Sequence, residues 1–505
     1  RGPGLGGIEA MSYDGHPLIL GDRDVSFAQI TTRDIDRGEH PHFLIKEILD
    51  APSSIRKTLR GKYFISEGRG VVFNLDEGVV DGRTREDLRQ GRIRNIFVVG
   101  QGTAAVAAAA VAEAMAVYLR TAPVRVHARK SSDLSGFLLD DDMSDTIVIA
   151  ITQSGTTTDT NRAVSMARLR GARLIAIVNR RQSDITTKVD GVFYTSDGRD
   201  IEMSVASTKA FYSQIVAGYV LALFFAQLLK TMPDEAIARD IETLEDAPDL
   251  MMRAIRGRDA IRKSAWNLVR RKQYWAVVGS GINKVASDEV RIKLSELCYK
   301  TISSDVIEDK KHIDLSSEPL ILVCAAGSPE IVIDDIVKDV AIFKAHAATV
   351  VVITDEGEDR FDGISDAVVR VPRAGFPLSV IFNTLAGHLW GYYAACSLDE
   401  LASTMKGFRT SLAEITRGHQ SREYTVYESI ADRELHRAID TYAAEFKRWR
   451  ARGELASMSN EVASDIALLF KYAKGKLPVE DFWMEFEDRR VSSSPIDMLD
   501  LTLKR

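Results

Sequence analysis

Cysteine is scarce. The 505 residues hold three, Cys298, Cys324 and Cys396, far apart and in apolar or helix-like contexts. Neither a disulfide framework nor a thiolate metal site can be read from them, and such usage suits a reducing cytosol. Positive charge is not in excess. The formal net charge is −6, so there is no electrostatic footprint for nucleic acid. No apolar run reaches membrane-spanning length; Ile215–Leu229 comes nearest and reads as a buried helix. No secretion signal opens the chain, and Arg1-Gly-Pro-Gly-Leu-Gly-Gly7 reads as a loop or the scar of a missing upstream part. The lysine-bearing Walker pattern and the G-x-G-x-x-G spacing are both missing, so a nucleotide is not the first ligand to expect.

A composition of 45% hydrophobic and 27% charged residues suits a globular chain of two to four domains. Strand-like runs at Ile96–Gly100, Val124–His127, Thr146–Ile151, Leu174–Asn179 and Gly191–Thr195 are separated by helix-like stretches such as Thr103–Leu119 and Asp159–Arg170. This alternation predicts a parallel sheet covered on both faces, an α/β fold. The same order returns at Tyr274–Val278, Thr301–Ser304, Leu320–Ala325, Thr349–Thr354 and Ala367–Val371. Val98-Val-Gly-Gln-Gly102 echoes Val277-Val-Gly-Ser-Gly281, which indicates an internal duplication of about 175 residues. The helical stretch Pro233–Arg271 connects the copies. Ser411–Arg505 is charged, with Tyr442, Phe446, Trp449, Ile466, Leu469 and Phe470 at helical spacing, and reads as an appended helical domain for packing or oligomerisation.

In such a sheet, ligands bind beyond the carboxyl ends of the strands. There the first copy has Gly100-Gln-Gly-Thr103, Ser131-Ser132, Thr152-Gln-Ser-Gly-Thr-Thr157 and Glu202-Met-Ser-Val-Ala-Ser-Thr-Lys209. A hydroxyl-rich loop running into a helix offers backbone N–H groups and hydroxyls to an anion at a positive helix end. Simple helix capping explains each loop separately, and Ser131 and Thr208 read as caps. The second copy has Ala325-Ala-Gly-Ser-Pro-Glu330 in place of the hydroxyl loop, so a phosphate is expected in the first. Elsewhere, Glu289, Lys293 and Glu296 are spaced i, i+4 and i+7, on one helix face. That pattern is either a solvated face or a proton-transfer site. His312 stands in the charged run Glu308-Asp-Lys-Lys-His312.

Together these pieces resemble the sugar-isomerase (SIS) family. More closely, residues 11–410 resemble the synthase half of the glutamine–fructose-6-phosphate aminotransferase family. Thr152-Gln-Ser-Gly-Thr-Thr-Thr-Asp-Thr160 is similar to its Ser-Gln-Ser-Gly-Glu-Thr-x-Asp-Thr, and Val205-Ala-Ser-Thr-Lys-Ala-Phe211 matches its Val-Ala-Ser-Thr-Lys-Ala-Phe/Tyr. Phe43–Ile48, Ala51-Pro52 and Thr58-Leu-Arg-Gly61 look like its interdomain linker, and Ala10–Ile35 like the last hairpin of its glutaminase domain.

The resemblance implies two tandem flavodoxin-like SIS domains at 46–235 and 236–410, after a glutaminase remnant and linker at 1–45 and before a helical extension at 411–505. It implies no cofactor and no metal. The sugar phosphate, fructose-6-phosphate in the family, would be contacted by Thr103, Thr152, Gln153, Ser154, Thr157, Val205 and Ser207. Glu296 would shuttle the proton between C1 and C2, supported by Glu289 and Lys293. His312, from a neighbouring subunit, would open the ring, which calls for a homodimer or higher oligomer. Lys406 would form a Schiff base with C2, and ammonia would come from a glutaminase domain, a separate subunit or solvent. No membrane or nucleic-acid partner is implied. The chain also departs from the family pattern. Gln101-Gly-Thr-Ala104 replaces Cys-Gly-Thr-Ser, Thr156 replaces a glutamate, and Glu308–Asp314 lacks the glycines and proline of Gly-Glu-Leu-Lys-His-Gly-Pro. An isomerase or deglycase that needs no ammonia, and a non-catalytic sugar-phosphate sensor, remain open on the same fold.

Overall fold

The computed structural model describes residues 10–12, 14–19, 21, 35–66, 70–312, 315–486 and 494–504. The loop expected at 1–7, much of the glutaminase-like piece (22–34), and residues 313 and 314 lie outside the described residues. Of that first piece, a short antiparallel pair is described: β1 (Ala10–Met11) with β2 (Pro17–Leu18).

The chain forms two compact units, Arg1–Asp249 and Leu250–Arg505. Their division falls inside the helix Asp234–Arg256, later than the boundary expected at 235/236. In the first unit, helix Phe43–Leu59 and the hairpin β3 (Tyr63–Ser66) and β4 (Gly70–Phe73) precede a five-stranded sheet. Its strands are β5 (Asn95–Gly100), β6 (Arg125–Lys130), β7 (Thr146–Thr152), β8 (Arg173–Val178) and β9 (Gly191–Tyr194). All pair in parallel, in the order β6-β5-β7-β8-β9. The central strand β7, Thr-Ile-Val-Ile-Ala-Ile-Thr, is buried along its whole length. β-branched residues without polar interruption suit a strand covered on both faces.

The second unit repeats the pattern. Strands β10 (Trp275–Gly279), β11 (Ile302–Asp305), β12 (Leu320–Cys324), β13 (Thr349–Asp355) and β14 (Ala367–Val371) pair in parallel in the order β11-β10-β12-β13-β14. The duplication extends to helix packing. In the first unit Gly218, on the helix Lys209–Leu229, lies against Val111 on the helix Thr103–Tyr118, where a Cβ would come within 2.2 Å of Val111 Cγ2. In the second, Gly387 on the helix Ser379–Ser421 meets Val290 on the helix Ile282–Cys298 at the same 2.2 Å. Only glycine allows so close an approach.

Two expectations need correction. The apolar run at 215–229 belongs to the longer helix Lys209–Leu229, which is long and apolar enough to cross a membrane, although most of it is buried in the first unit. The boundary expected at 410/411 lies within the unbroken helix Ser379–Ser421. Phe408 and Leu412 of that helix join Leu435, Tyr442, Phe446, Phe470 and Leu499 in one apolar cluster, with Phe408 stacked on Tyr442 at 4.2 Å between ring centres. The C-terminal helices are thus packed onto the far half of the helix that follows the second sheet, and form with it a core separate from the sheet's own.

Candidate active site

Strands β5 and β7 are neighbours, so Thr103 and the loop 152–157 emerge from adjacent strand ends. Thr103 opens its helix behind Gly102, which holds φ at +61°. In the next loop Thr152 Oγ1 accepts the Gly155 N–H at 3.2 Å. Ser154 Oγ accepts the Thr156 N–H at 3.2 Å and the Thr156 hydroxyl at 2.9 Å. Gly155 lies at φ +69°, and a Cβ there would stand 2.0 Å from Ser183 Oγ, so both the backbone angle and the space demand glycine. Gln153 and Thr157 are half-buried, and Thr157 caps the helix Thr158–Arg168 without a side-chain capping bond. Ser131, read as a cap, is instead buried and shares a 3.1 Å hydrogen bond with Thr160.

The other expected contact loop is organised by two acids that the sequence reading did not single out. Glu202 Oε1 accepts the N–H groups of Thr208 and Ala210 at 2.8 and 3.0 Å, while Ser207 Oγ donates to Glu202 Oε2 at 2.6 Å. Glu202, not Thr208, therefore caps the helix Lys209–Leu229 and occupies its positive end. The Ser207 hydroxyl proton is committed, leaving its oxygen to accept. Glu47, from the helix Phe43–Leu59, accepts from Met203 N–H at 2.5 Å and Ser204 N–H at 3.2 Å. Burial, with Glu202 nearby, pushes Glu47 up to about 7. Beneath them Lys209 pairs with Asp200, which also accepts the Ser54 hydroxyl. Val205 is fully exposed.

Strand register gives the corresponding loop of the second unit. Ile151 pairs with Ile177, and its counterpart Cys324 pairs with Ile353. Two residues on, Asn179 stands where the second copy has Asp355. Both Asp355 carboxylate oxygens accept the Gly327 N–H at 3.1 Å, and Asn383 Oδ1 accepts the Ala326 N–H at 3.2 Å. That loop is filled by its own anion. In the first unit Asn179 is neutral and turned aside, bonded to the Asp200 carbonyl and the Thr195 hydroxyl.

On the helix Ile282–Cys298 the three expected residues form a row. Lys293 Nζ lies 3.2 Å from Glu289 Oε1 and 3.2 Å from Glu296 Oε2. Lys293 and Glu289 are buried at 1% and 0% exposure, whereas the Glu296 side chain is 47% exposed. Burial opposes the Lys293 charge, but Glu289 and Glu296 outweigh it and hold the ammonium above its usual value. The row continues into a residue the sequence did not flag: His388 Nε2 stands 3.3 Å from Glu289 Oε1.

His312 is exposed in the turn after Ile307–Lys310. Lys406 is not brought to the row. Gly387 and Gly391 pack on Val290 and Leu294, so the two helices run side by side in the same sense. Lys406 follows Gly391 by fifteen residues of unbroken helix, roughly 22 Å. It is exposed there, too far along the helix to share one small ligand with Glu296 of its own chain. The tail expected to carry a Schiff-base lysine is in this chain the middle of a helix.

Residues 91–224 match the SIS domain family. The chain is 29% identical over 370 residues to the glutamine–fructose-6-phosphate aminotransferase (isomerizing) of Caldanaerobacter subterraneus, covering 72% of this chain and 58% of the relative. Against the protein of the same name from Clostridium acetobutylicum it is 27% identical over 400 residues, 78% of this chain and 62% of the relative. The chain thus spans less than two thirds of these relatives. Among solved structures, the C-terminal domain of glucosamine-fructose-6-phosphate aminotransferase from Francisella tularensis superposes with a TM-score of 0.62 at 22% identity, covering 72% of this chain and 98% of that one. Glucosamine-6-phosphate deaminase from Thermotoga maritima does so at 0.51 and 17% identity, covering 70% and 95%. The SIS match in the first unit, the repeated sheet order and the superposition together give this chain a tandem SIS fold, similar in sequence over about 70% of its length to glutamine–fructose-6-phosphate aminotransferases.

Proposed function

We propose that this chain is a sugar-phosphate aminotransferase–isomerase acting on fructose-6-phosphate or a close analogue. The observation that carries this is the row Glu289–Lys293–Glu296, a buried ion pair that fixes a half-exposed carboxylate. The first unit's loops at Thr103 and 152–157 hold the phosphate, at helix starts that no acid side chain caps. Val205 and Ser207 add sugar contacts. Ammonia, from a glutaminase outside this chain or from solvent, adds to the C2 carbonyl. Loss of water leaves a C2 imine, and Glu296 carries the C1 proton to C2, yielding a 2-amino-2-deoxy aldose phosphate. A chain without Lys406 at the reacting carbons also fits plain ketose–aldose isomerisation or the reverse deamination, in which the same carboxylate moves the same proton.

Turnover of fructose-6-phosphate with and without ammonium separates these readings. Ammonium-dependent glucosamine-6-phosphate is the expected product. Glucose-6-phosphate alone would establish the isomerase, and thermal stabilisation by the sugar without turnover would indicate a sensor. Glu296→Gln should lower turnover by about 10²–10⁴-fold, the usual contribution of a general base, while sugar-phosphate binding is retained. Full turnover in that variant would remove Glu296 from the mechanism.

A further inference from the structure

We propose that His388 is a positioning residue for the proton-transfer row, a role that rests on the preceding reading. Its imidazole is 1% exposed on the helix Ser379–Ser421 and faces Glu289, with Lys293 and Glu296 next along the same helix of the other side. Glu289 is fully buried, and such a carboxylate is costly unless donors surround it. Lys293 supplies one, to Oε1. At 3.3 Å from that same oxygen, His388 Nε2 has to be a donor, since two buried acceptors face to face would repel. Burial pushes the ring below its usual value against the pull of Glu289, so it donates as the neutral Nε2–H tautomer. The order is then imidazole to carboxylate, ammonium to both carboxylates. His388 fixes Glu289 from a second helix, Glu289 fixes Lys293, and Lys293 holds Glu296 Oε2 while half of that side chain faces outward. His388 itself touches no reacting atom.

The test compares His388→Leu with His388→Gln, which keeps an N–H near the Nε2 position. His388→Leu should lower kcat for the isomerising step about tenfold or more, since misplacing a reacting group by an ångström is that expensive. KM for the sugar phosphate should stay unchanged, and His388→Gln should recover most of the rate. Unchanged kcat in His388→Leu, or kcat and KM shifting together in both variants, would overturn the proposal. Two NMR measurements stand apart from activity. In ¹⁵N-labelled wild type, His388 should remain a neutral Nε2–H tautomer from pH 6 to 8, and the shielded Lys293 ammonium signal should shift or broaden in His388→Leu but not in His388→Gln. An Nε2 without its proton, or a Lys293 signal indifferent to both substitutions, would refute the role. If the wild type turns over no sugar phosphate, the functional reading falls while these signals still decide whether His388 orders the row.

Discussion

At the scale of single residues, the chain places acids where their neighbours need an anion, and the cost shows in their proton affinity. Glu47 is buried under the loop it anchors and is raised from 4.5 to about 7. The sign follows from which state holds the proton. Between about 4.5 and about 7 the folded chain keeps a proton on Glu47 that the unfolded chain has lost, so stability from this group falls as pH rises through that window and is level above it. Glu47→Gln cannot ionise and should lack this component. Unfolding by urea at pH 5 and at pH 8 should therefore show the wild type losing stability relative to Glu47→Gln on going to the higher pH. Equal pH dependence in the two proteins would mean that Glu47 is not buried as described. The acids at 47 and 202 were invisible in the sequence because their partners are backbone N–H groups, which no residue pattern marks. Gly155 and the hydroxyls of 152–157 were legible because their chemistry is local.

At the scale of elements, the strands were readable and their surroundings were not. β7 and β12 are uninterrupted apolar runs between turn residues, so their existence and neighbours followed from composition, with ends displaced by a residue or two. The domain boundary expected at 410/411 falls inside the helix Ser379–Ser421, whose apolar character fades after Ser397 into Asp399, Glu400 and Lys406. A helix leaving one core and entering another changes its pattern without ending. His388 was hidden for a related reason: within an apolar helix a histidine reads as core. The helix Ile282–Cys298, by contrast, put Glu289, Lys293 and Glu296 on one face by spacing, which left a solvated face equally open; the buried Lys293–Glu289 pair makes a stability prediction. Lys293→Met leaves Glu289 buried without its cation and should cost about 3–5 kcal/mol, the usual penalty for breaking a buried pair from one side. Adding Glu289→Leu should restore much of the loss, because an apolar pair needs no compensation. Urea midpoints of the two single variants and the double variant measure this coupling. Additive losses would show that the two side chains do not share a buried pair.

At the scale of the whole molecule, the second unit is more than a copy of the first, because the five helices described after Ser421 close onto it. Apolar packing around Phe408, Tyr442 and Phe470 supplies the driving force, and Arg270 supplies the register. It is 8% exposed, donates from Nε and Nη2 to the Ser397 carbonyl, pairs with Glu400 at 2.6 Å, lies 3.7 Å from Glu454, and accepts the Ala456 N–H on its own carbonyl. One side chain thereby ties the segment before β10 to the long helix and to the turn that follows the helix Arg433–Ala451. A cavity of about 470 Å³ borders it, lined by Leu401, Met405, Leu455 and Met458 among others, so packing alone does not lock this corner. Arg270→Met should lower the unfolding midpoint by an amount worth about 1–3 kcal/mol, less than for a fully buried pair because Glu400 remains largely in water. Arg270→Lys should recover little of it, since an ammonium cannot donate in the same fork to one carbonyl and two carboxylates. Limited proteolysis should then cut near 451–459 sooner in Arg270→Met than in the wild type, while cleavage within the first unit stays unchanged. Unchanged cleavage there would mean that the apolar cluster holds the C-terminal helices without Arg270.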